Sequence, residues 1–273
     1  MTLHEQTKRR LLAQLAAPAA NNDATQLNNA LRMLGKWRSA SIQDLLLKQN
    51  GTLVQQGPLR GLDFVEASAE GCHVAKLLGT YEQPLHPYIE QAVGAAYATI
   101  VNIGCAEGYY AVGLARRLPD SRILAFDSNP RARASCQQLA QKNAVGSRVQ
   151  IEALFQHADF AALPRHGTLV LCDIEGAERE LLDPAKAPAL QHLDLIVESH
   201  ECLVPGVTRT LIERFAATHA LTLVQDSGQR HLQAPPPWFL GLSHLDQLLA
   251  VWEWRSGPTP WLVMKSRQAR TSP

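Results

Sequence analysis

Short apolar runs alternate with amphipathic stretches after residue 98, and this alternation constrains the fold more than any other feature. The runs have the length of β-strands and cover residues 99–103, 122–126, 149–151, 168–172, 194–198, 221–225 and 261–265. Stretches with helical spacing lie between most of them, at residues 109–118, 131–143, 177–182 and 208–219. Because the strands are apolar nearly throughout and alternate with helices, we predict a doubly wound α/β domain with a mostly parallel sheet.

The first 97 residues predict a mainly helical extension. Its predicted elements are helices over residues 3–17, 24–37, 42–49, 71–78 and 84–97, with a small hairpin over 51–66. Pro18 and the segment 39–41 separate the first three helices, and a further helix is predicted over 243–254. The chain thus divides into an extension over 1–97 and an α/β domain over 98–273. The extension could serve as a lid, a homodimer interface or a docking surface.

Composition and charge exclude several classes of protein. Acidic and basic side chains nearly cancel to a net charge of +1, and no block of like charge indicates nucleic acid or an anionic membrane as a partner. The five cysteines are scattered without a CxxC pair, so neither a zinc site nor a disulfide framework is expected, and a reducing cytoplasm suits them. No apolar segment approaches the roughly 20 residues of a membrane helix. We therefore expect a soluble, cytoplasmic protein.

The segment IVNIGCAEGYYA (residues 100–111) carries a glycine turn at the end of the first strand. Gly104 allows a tight turn, and Gly108 leaves the start of the next helix open. Asp127 ends the second strand about 20 residues later, where a carboxylate can accept hydrogen bonds from both hydroxyls of a ribose. This order of strand, glycine turn, helix and acid predicts a cofactor that contains a ribose.

The spacing of the glycines separates two classes of cofactor. A dinucleotide such as NAD requires GxGxxG, because the second glycine admits the pyrophosphate to the helix N-terminus. That position is Ala106 here, and Glu107 follows with a carboxylate that would repel a pyrophosphate. S-adenosylmethionine carries positive charge and no phosphate, so we predict it as the cofactor. A glycine turn that serves packing alone is the remaining alternative.

Three segments resemble the class I S-adenosylmethionine-dependent methyltransferases. They are VNIGCAEGYYAVGLA, AFDSNPRA and CDIEGAERELL, and the last is similar to the Asp-x-Glu-Gly-x-Glu segment typical of the FkbM-like group. The resemblance covers roughly residues 77–225 and includes KLLGTYE before the first strand. It implies a Rossmann-like, seven-stranded, mostly parallel sheet whose last strand is antiparallel.

The resemblance also implies a set of cofactor contacts. The backbone of residues 104–106 would pass beside the methionine part of the cofactor, and Asp127 would bind the ribose. Ser128 and Asn129 would lie near the adenine. The cofactor-binding residues expected on this basis are Glu82, Asn102, Gly104, Cys105, Ala106, Glu107, Gly108, Asp127, Ser128 and Asp173.

Asn102 departs from the family pattern. Many enzymes of the family carry an acid at this position, and that acid helps to hold the α-ammonium group of the cofactor. An amide can accept a hydrogen bond but offers no charge. Glu107 or Glu82 could supply the missing charge, or the affinity for the cofactor could be lower.

Polar side chains follow the fourth and fifth strands, where Asp173 ends one strand and Glu198 and His200 end the other. The carboxyl ends of neighbouring parallel strands meet at one edge of a sheet, so we expect these side chains to face one cleft. Methyl transfer to an alcohol or phenol requires removal of a proton, and histidine has a suitable pKa near neutrality. We predict His200 as the base, with Glu198 or Asp173 orienting it or anchoring the substrate.

Other interpretations of these residues remain open. Glu175 and Glu178 could only begin a helix, since carboxylates favour the positive end of its dipole, and His200 could be a surface histidine. Asp173, Glu198 and His200 could also hold a divalent ion. Because their spacing is not that of a fixed ligand motif, no metal is predicted.

Two further segments could either contact a ligand or only pack within the protein. Tyr81 and His86 lie before the first strand, in a region that often folds over the cofactor in this family. The segment APPPWFLGLSHLDQLLAVWEW (residues 234–254) could wall an acceptor pocket or pack in the core. Its aromatic candidates are Trp238, Phe239, Trp252 and Trp254, and the polar candidates before it are Arg230 and His231.

The sequence therefore predicts an enzyme that transfers a methyl group from S-adenosylmethionine to an oxygen of a small molecule. N-methylation of a small molecule or peptide is the nearest alternative, because an amine acceptor needs no strong base. An NAD-dependent oxidoreductase would require the second glycine and a proton-relay motif such as Tyr-x-x-x-Lys, and the chain has neither. A catalytically silent cofactor-binding protein is favoured only by Asn102.

Overall fold

The computed structural model describes residues 1–17, 23–66 and 72–268. The predicted helix break at Pro18 and the predicted helix start at Gly71 lie outside these ranges. Within them, the helices are all too short or too polar to span a bilayer.

Seven strands form one sheet, as the sequence predicts. Their bounds are β1 Thr99–Ile103, β2 Arg122–Phe126, β3 Val149–Glu152, β4 Thr168–Cys172, β5 Asp194–Glu198, β6 His219–Val224 and β7 Trp261–Ser266. The strand order is β3-β2-β1-β4-β5-β7-β6. β1 to β5 pair in parallel, whereas β7 runs antiparallel to β5 and β6. The predicted mostly parallel sheet with an antiparallel last strand is confirmed.

Helices cover both faces of the sheet. Their bounds are α1 Leu3–Ala16, α2 Asp23–Asn50, α3 His73–Leu78, α4 His86–Ala95, α5 Tyr109–Arg117, α6 Pro130–Lys142, α7 Glu178–Leu181, α8 Val207–Phe215, α9 Pro237–Leu240 and α10 His244–Ala250. Successive strand residues point to opposite faces. Ile100 accordingly belongs to one core cluster and Val101 to another, and both are fully buried. A sheet with two apolar faces explains why its strands read as continuous apolar runs.

The N-terminal helices differ from the prediction in one respect. The segment 39–41 does not end a helix, because α2 continues through it as a single helix of 28 residues. Ser41 stays in the helix by donating its hydroxyl to the carbonyl of Trp37 at 3.2 Å, a local bond that serine can make inside a helix. Ile42 and Leu46 then continue the same helix into the core cluster that contains Ile100.

The predicted hairpin over residues 51–66 is reduced to a single antiparallel bridge between Leu53 and Asp63. Side chains at the end of α6 add further hydrogen bonds to the backbone of this segment. Asn143 bonds to both the N–H and the C=O of Asp63, at 3.0 and 2.9 Å, and Lys142 donates to the carbonyl of Phe64. The two arms of the segment also pair through the backbone, from the N–H of Val54 to the carbonyl of Leu62 at 2.9 Å and from the N–H of Phe64 to the carbonyl of Thr52 at 2.8 Å. The segment therefore turns back on itself as predicted, and it is also fixed against the end of α6.

Candidate active site

A large cleft lies at the carboxyl ends of β1, β2 and β4, where the strand order reverses between β1 and β4. It encloses about 860 Å³. We call this cavity the large cleft. It is lined by Ile103, Gly104, Phe126, Asp127, Ser128, Ala153, Leu154, Phe155, Gln156, His157, Ala158, Asp173, Ile174, Glu175, Ala177, Glu180 and Leu181. This is where doubly wound sheets bind their ligands.

The glycine turn after β1 forms one wall of the large cleft. Gly104 has φ 78°, and a Cβ on it would lie 1.6 Å from the carbonyl oxygen of Asp173. Gly108 has φ 95°, and a Cβ there would lie 2.7 Å from Sγ of Cys136. Both positions therefore require glycine, because a side chain would collide with the loop after β4 or with α6. Cys105 between them is buried.

Asp127 fastens the glycine turn to the end of β2. Its Oδ2 accepts a hydrogen bond from the N–H of Ala106 at 2.9 Å, and its Oδ1 accepts one from the N–H of Asn129 at 2.8 Å. Asn129 in turn caps α6 by accepting from the N–H of Arg131. Asp127 and Ser128 both line the large cleft. The carboxylate is thereby held at the cleft edge with lone pairs left for further donors.

A narrow pocket of about 20 Å³ lies beside the turn, between Asn102 and Tyr81. Lys76, on α3, lines this pocket and forms a buried ion pair with Glu107, with Nζ 2.8 Å from Oε1. The same ammonium group lies 4.9 Å from the ring centre of Tyr81. The charge of Glu107, which could have replaced the acid missing at Asn102, is therefore already matched by a lysine.

Glu82 is also engaged by other side chains. It is buried, has φ 51°, and accepts hydrogen bonds from Tyr110 and, at 2.7 Å, from Arg255. Burial, followed by the charge of Glu198, raises the pKa of Glu82 to about 8. Glu82 thus joins the segment before β1 to the segment before β7.

Arg255 lies at the centre of this network. Its guanidinium donates to Glu198 at the end of β5, to Glu82, and to Glu253 at 3.0 Å. Burial opposes its charge, but the three carboxylates raise the pKa of Arg255 above its already high ordinary value. Glu198 is 2% exposed and held by this arginine. Its carboxylate therefore does not orient His200.

A second cleft of about 230 Å³ opens beyond the large cleft. We call this cavity the second cleft. It is lined by Lys36, Cys72, Tyr81, Asp173, Glu175, Glu198, His200, Cys202, Leu203, Glu253, Trp254, Arg255, Ser256 and Thr259. Asp173 and Glu175 line both clefts, so the two spaces meet at the loop after β4.

His200 is buried at this junction. Its Nε2 lies 3.5 Å from Oδ1 of Asp173 and 3.4 Å from Oε2 of Glu175. Its Nδ1 lies 2.7 Å from Oε1 of Glu178. Burial lowers the pKa of His200, but the hydrogen bond to Glu178 and the charges of Glu198, Glu178 and Glu175 outweigh it, so the net shift is upward.

Glu178 holds both the histidine and the loop after β4. Its Oε1 also accepts hydrogen bonds from the N–H groups of Ile174 and Gly176, at 3.2 and 3.1 Å. Burial would raise the pKa of Glu178, but the hydrogen bond to His200, the charge of His200 and the N–H groups of Glu178 itself and Gly176 outweigh it, so the net shift is downward. Because Glu178 is thus a carboxylate, Nδ1 of His200 carries the proton and donates it. The residue that orients His200 is Glu178.

The remaining candidates are mostly away from the clefts. Trp254 lines the second cleft, whereas Phe239 is buried in the core, and Trp238 donates to Oδ1 of Asn50 at 2.8 Å. Trp252 packs against Gly35 of α2. His86, His231 and Arg230 bond to Tyr81, Gln83 and Glu253, respectively. Of the aromatic segment, Trp254 is the residue placed to contact a ligand.

Sequence reasoning missed Lys76 and Arg255. Lys76 could have been found from the sequence, because it lies inside the apolar run HVAKLL and a lysine is rarely buried unless it is paired with an opposite charge. Arg255 has no comparable signal, since its partner Glu82 lies 173 residues away.

In the part of the chain that the structure describes, two sets of side chains bring ligand atoms within 4.8 Å of one another, as a metal ion requires. One comprises Asp173, Glu175 and His200, and the other comprises Glu82, Asp173 and Glu198. Both belong to the second cleft or its edge.

Comparison with known proteins gives similarity only at the level of structure. No protein-family model and no curated protein matches the chain. Solved structures that resemble it include cofactor-bound Rv0187 from MTB, with 12% identity, 96% of this chain and 90% of that chain covered, and a TM-score of 0.45. The METTL16 methyltransferase domain has 12% identity, coverages of 87% and 79%, and a TM-score of 0.46. Precorrin-6y C5,15-methyltransferase from Geobacter metallireducens has 12% identity, coverages of 66% and 87%, and a TM-score of 0.40. Likenesses this distant concern the fold and give no information on the substrate of this chain.

Proposed function

We propose that this protein is an S-adenosylmethionine-dependent methyltransferase that methylates an oxygen atom of a small molecule. The observation that carries the proposal is the meeting of two clefts at Asp173 and Glu175. The large cleft has the volume of a nucleoside cofactor site, and the smaller second cleft presents His200. This is the geometry that a transfer between two bound molecules needs.

The charge of the large cleft supports the choice of cofactor. The described residues that line it include four acids and neither lysine nor arginine. A pyrophosphate would face Asp127 and Asp173 without a cationic partner, which argues against NAD. A nucleoside that carries a sulfonium and an α-ammonium group suits the same wall. Asp127 is proposed to accept from the ribose hydroxyls, and the backbone of residues 104–106 to pass beside the methionine part.

The proposed chemistry is an in-line displacement at carbon. When bound, the cofactor supplies an activated methyl group. The bond from sulfur to carbon breaks and its electron pair stays on sulfur, while an oxygen of the acceptor forms the new bond and loses its proton. His200 is the proposed proton acceptor, because Glu178 fixes its ring and its Nε2 faces the second cleft. Asp173 is proposed to help position the acceptor, and Glu198 acts only through Arg255.

N-methylation is the second candidate function. The second cleft is rich in carboxylates, and one oxygen each of Asp173 and Glu175 lies within 3.5 Å of Nε2 of His200. A cationic amine would be attracted to these groups, and its deprotonation is easier than that of an alcohol. The same site would then act mainly by positioning the acceptor.

Calorimetric titration of the full chain with S-adenosylmethionine, S-adenosylhomocysteine and NAD tests the cofactor class. We expect both sulfur ligands to bind with one site per chain and NAD to give no heat of binding. Transfer of a radioactive methyl group to a panel of phenols, alcohols and amines then separates oxygen from nitrogen acceptors. Binding of NAD without either sulfur ligand would contradict the proposal, and label on amines alone would favour N-methylation.

A further inference from the structure

We propose that Asp173, Glu175 and His200 form a binding site for a divalent metal ion where the large and second clefts meet. The existence of this site follows from the geometry of the three side chains. Its role in catalysis rests on the proposed methyltransferase function.

The spacing of the three ligand atoms fits a shared ion. Nε2 of His200 is 3.5 Å from Oδ1 of Asp173 and 3.4 Å from Oε2 of Glu175. Two ligands at roughly 2.1 Å from a metal, with about 90–110° between them, lie about 3.0–3.4 Å apart. All three atoms also lie within 4.8 Å of one another. His200 can therefore share an ion with either acid with little movement of the side chains.

His200 provides an observation independent of the carboxylates. It is only 4% exposed, and within the described part of the chain its Nε2 makes no hydrogen bond and lies within 3.5 Å of one oxygen of each acid. Its other nitrogen, Nδ1, donates to the fully buried Glu178 at 2.7 Å. A metal-binding histidine nearly always donates its second nitrogen to a carboxylate or carbonyl, which fixes the tautomer and the ring plane. His200 is held in this way.

The other set of potential ligands is already served by a cation. Glu82 and Glu198 both accept hydrogen bonds from Arg255, whose guanidinium would have to leave before a metal could enter. The set with His200 contains no such arginine contact to Glu175 or to His200 among the described residues. An ion is therefore assigned to Asp173, Glu175 and His200.

An ion at this position would change the part that His200 plays. Its Nε2 would become a ligand and could no longer accept the proton. The ion would instead lower the pKa of an acceptor hydroxyl bound to it, so that the proton would pass to water before the methyl transfer. Carboxylate and open positions favour an oxygen ligand, so the site would select an acceptor that reacts through oxygen. This deepens the proposed function by favouring O-methylation over N-methylation.

One imidazole and two carboxylates suit a divalent ion such as Mn²⁺, which is also a convenient probe. The experiment is calorimetric titration of the full chain, freed of metal by a chelator, with MnCl₂. Electron paramagnetic resonance of free Mn²⁺ provides an independent count of bound ions. Parallel titrations with S-adenosylhomocysteine on the same samples report on the cofactor site.

We expect one Mn²⁺ per chain in the wild type. Glu175→Gln should weaken binding at least tenfold, and because its side chain is 77% exposed this change should leave the fold intact, which equal melting temperatures would verify. Glu178→Gln should weaken binding about 10–100-fold, since it removes the carboxylate that orients the ligand. Glu213→Gln, an exposed carboxylate on α8 paired with Arg209, is the control and should bind Mn²⁺ like the wild type.

Absence of Mn²⁺ binding to the wild type would overturn the metal proposal. Equal affinity in the wild type and Glu175→Gln would place the ion elsewhere and also overturn it. In either case, retained binding of S-adenosylhomocysteine would leave the proposed function standing. Loss of S-adenosylhomocysteine binding with Mn²⁺ bound as expected would instead remove the proposed function and keep the metal site.

Discussion

Nδ1 of His200 donates a hydrogen bond to Oε1 of Glu178 over 2.7 Å, and both side chains are buried. This bond connects the loop after β5 to the loop after β4, because the same carboxylate oxygen also accepts from the N–H groups of Ile174 and Gly176. The position of His200 relative to the large cleft is therefore set by one carboxylate. Removing its charge should affect the histidine and the loop together.

Replacing Glu178 by Gln should lower the pKa of His200. It should also lower the free energy of unfolding by about 1–3 kcal/mol, the usual range for a buried charge-assisted hydrogen bond. The wild-type pKa of His200 is raised above its ordinary 6.5. When the pKa of a histidine is higher in the folded than in the unfolded protein, its protonation stabilises the fold. This stabilisation is complete at a pH below the unfolded-state pKa and is lost as the pH rises through the folded-state pKa. The stability difference between wild type and variant should therefore be greatest at pH 5–6.5 and shrink above it.

NMR titration of the His200 ring and chemical unfolding at several pH values measure these two effects. Glu180→Gln is the matched control, because that carboxylate lies on the same helix but is exposed and pairs with Lys186. An unchanged pKa of His200 in Glu178→Gln would show that the hydrogen bond does not control the ring.

Replacing Asp127 by Asn should weaken binding of S-adenosylhomocysteine at least tenfold. Asn has the same shape, but it loses the charge that strengthens bonds to ribose hydroxyls, and it brings an NH₂ group against one of the two N–H donors of Ala106 and Asn129. Asp120→Asn, an exposed acid before β2, should bind like the wild type. Equal affinity in the Asp127 variant, measured by calorimetry, would remove the ribose assignment.

The strands could be predicted from the sequence because their pattern is local. Six of the seven predicted runs begin at the first residue of the observed strand. The signal is strongest for β1, β4 and β5, which are buried almost throughout and therefore need apolar residues along most of their length. The exception is β6, an edge strand that begins at His219, two residues before the predicted run. Within β6, Leu221 is only partly buried and Thr222 and Leu223 are exposed, so the apolar signal of this strand is weak.

The partners within the candidate site could not be predicted in the same way. Asp127 and the glycines follow from the order of elements along the chain. The ion pair of Lys76 with Glu107 joins residues 31 positions apart, and that of Arg255 with Glu82 joins residues 173 apart. Such pairs depend on how the segments before β1 and β7 fold over the sheet, and a single sequence carries no record of that packing.

Replacing Glu82 by Gln should flatten the dependence of stability on pH. The pKa of Glu82 is raised to about 8 from an ordinary 4.5. Between these values the folded protein keeps a proton that the unfolded chain releases, so the free energy of unfolding of the wild type falls as pH rises through this window. Glutamine cannot ionise and removes that contribution.

Melting temperatures from pH 5 to 8.5 test the prediction for Glu82. The fall across this range should be smaller in Glu82→Gln than in the wild type, and Glu213→Gln, an exposed carboxylate, should follow the wild type. Parallel curves for all three proteins would mean that Glu82 is ionised throughout.

Replacing Lys76 by Met should destabilise the fold by about 3–5 kcal/mol, because Glu107 would lose its ion pair while 1% exposed. The double variant with Glu107→Gln should recover much of that loss, since no buried charge would remain. Lys186→Met, which breaks an exposed pair with Glu180, should leave the free energy of unfolding nearly unchanged. Denaturant unfolding measures all three, and a double variant no more stable than Lys76→Met would show that packing, not charge, explains the effect.

Replacing Asn102 by Asp should tighten the binding of S-adenosylmethionine about tenfold, as a charge-assisted bond to the α-ammonium group implies. Asn102 is 4% exposed and lines the narrow pocket together with Lys76. Burying a carboxylate there should also lower the free energy of unfolding of the free protein by about 1–3 kcal/mol. Asn29→Asp adds the same charge on the exposed face of α2 and should change neither quantity. Calorimetric titration that finds weaker binding in Asn102→Asp would mean that the pocket is adapted to the amide and that the Lys76–Glu107 pair already balances the charge of the ligand.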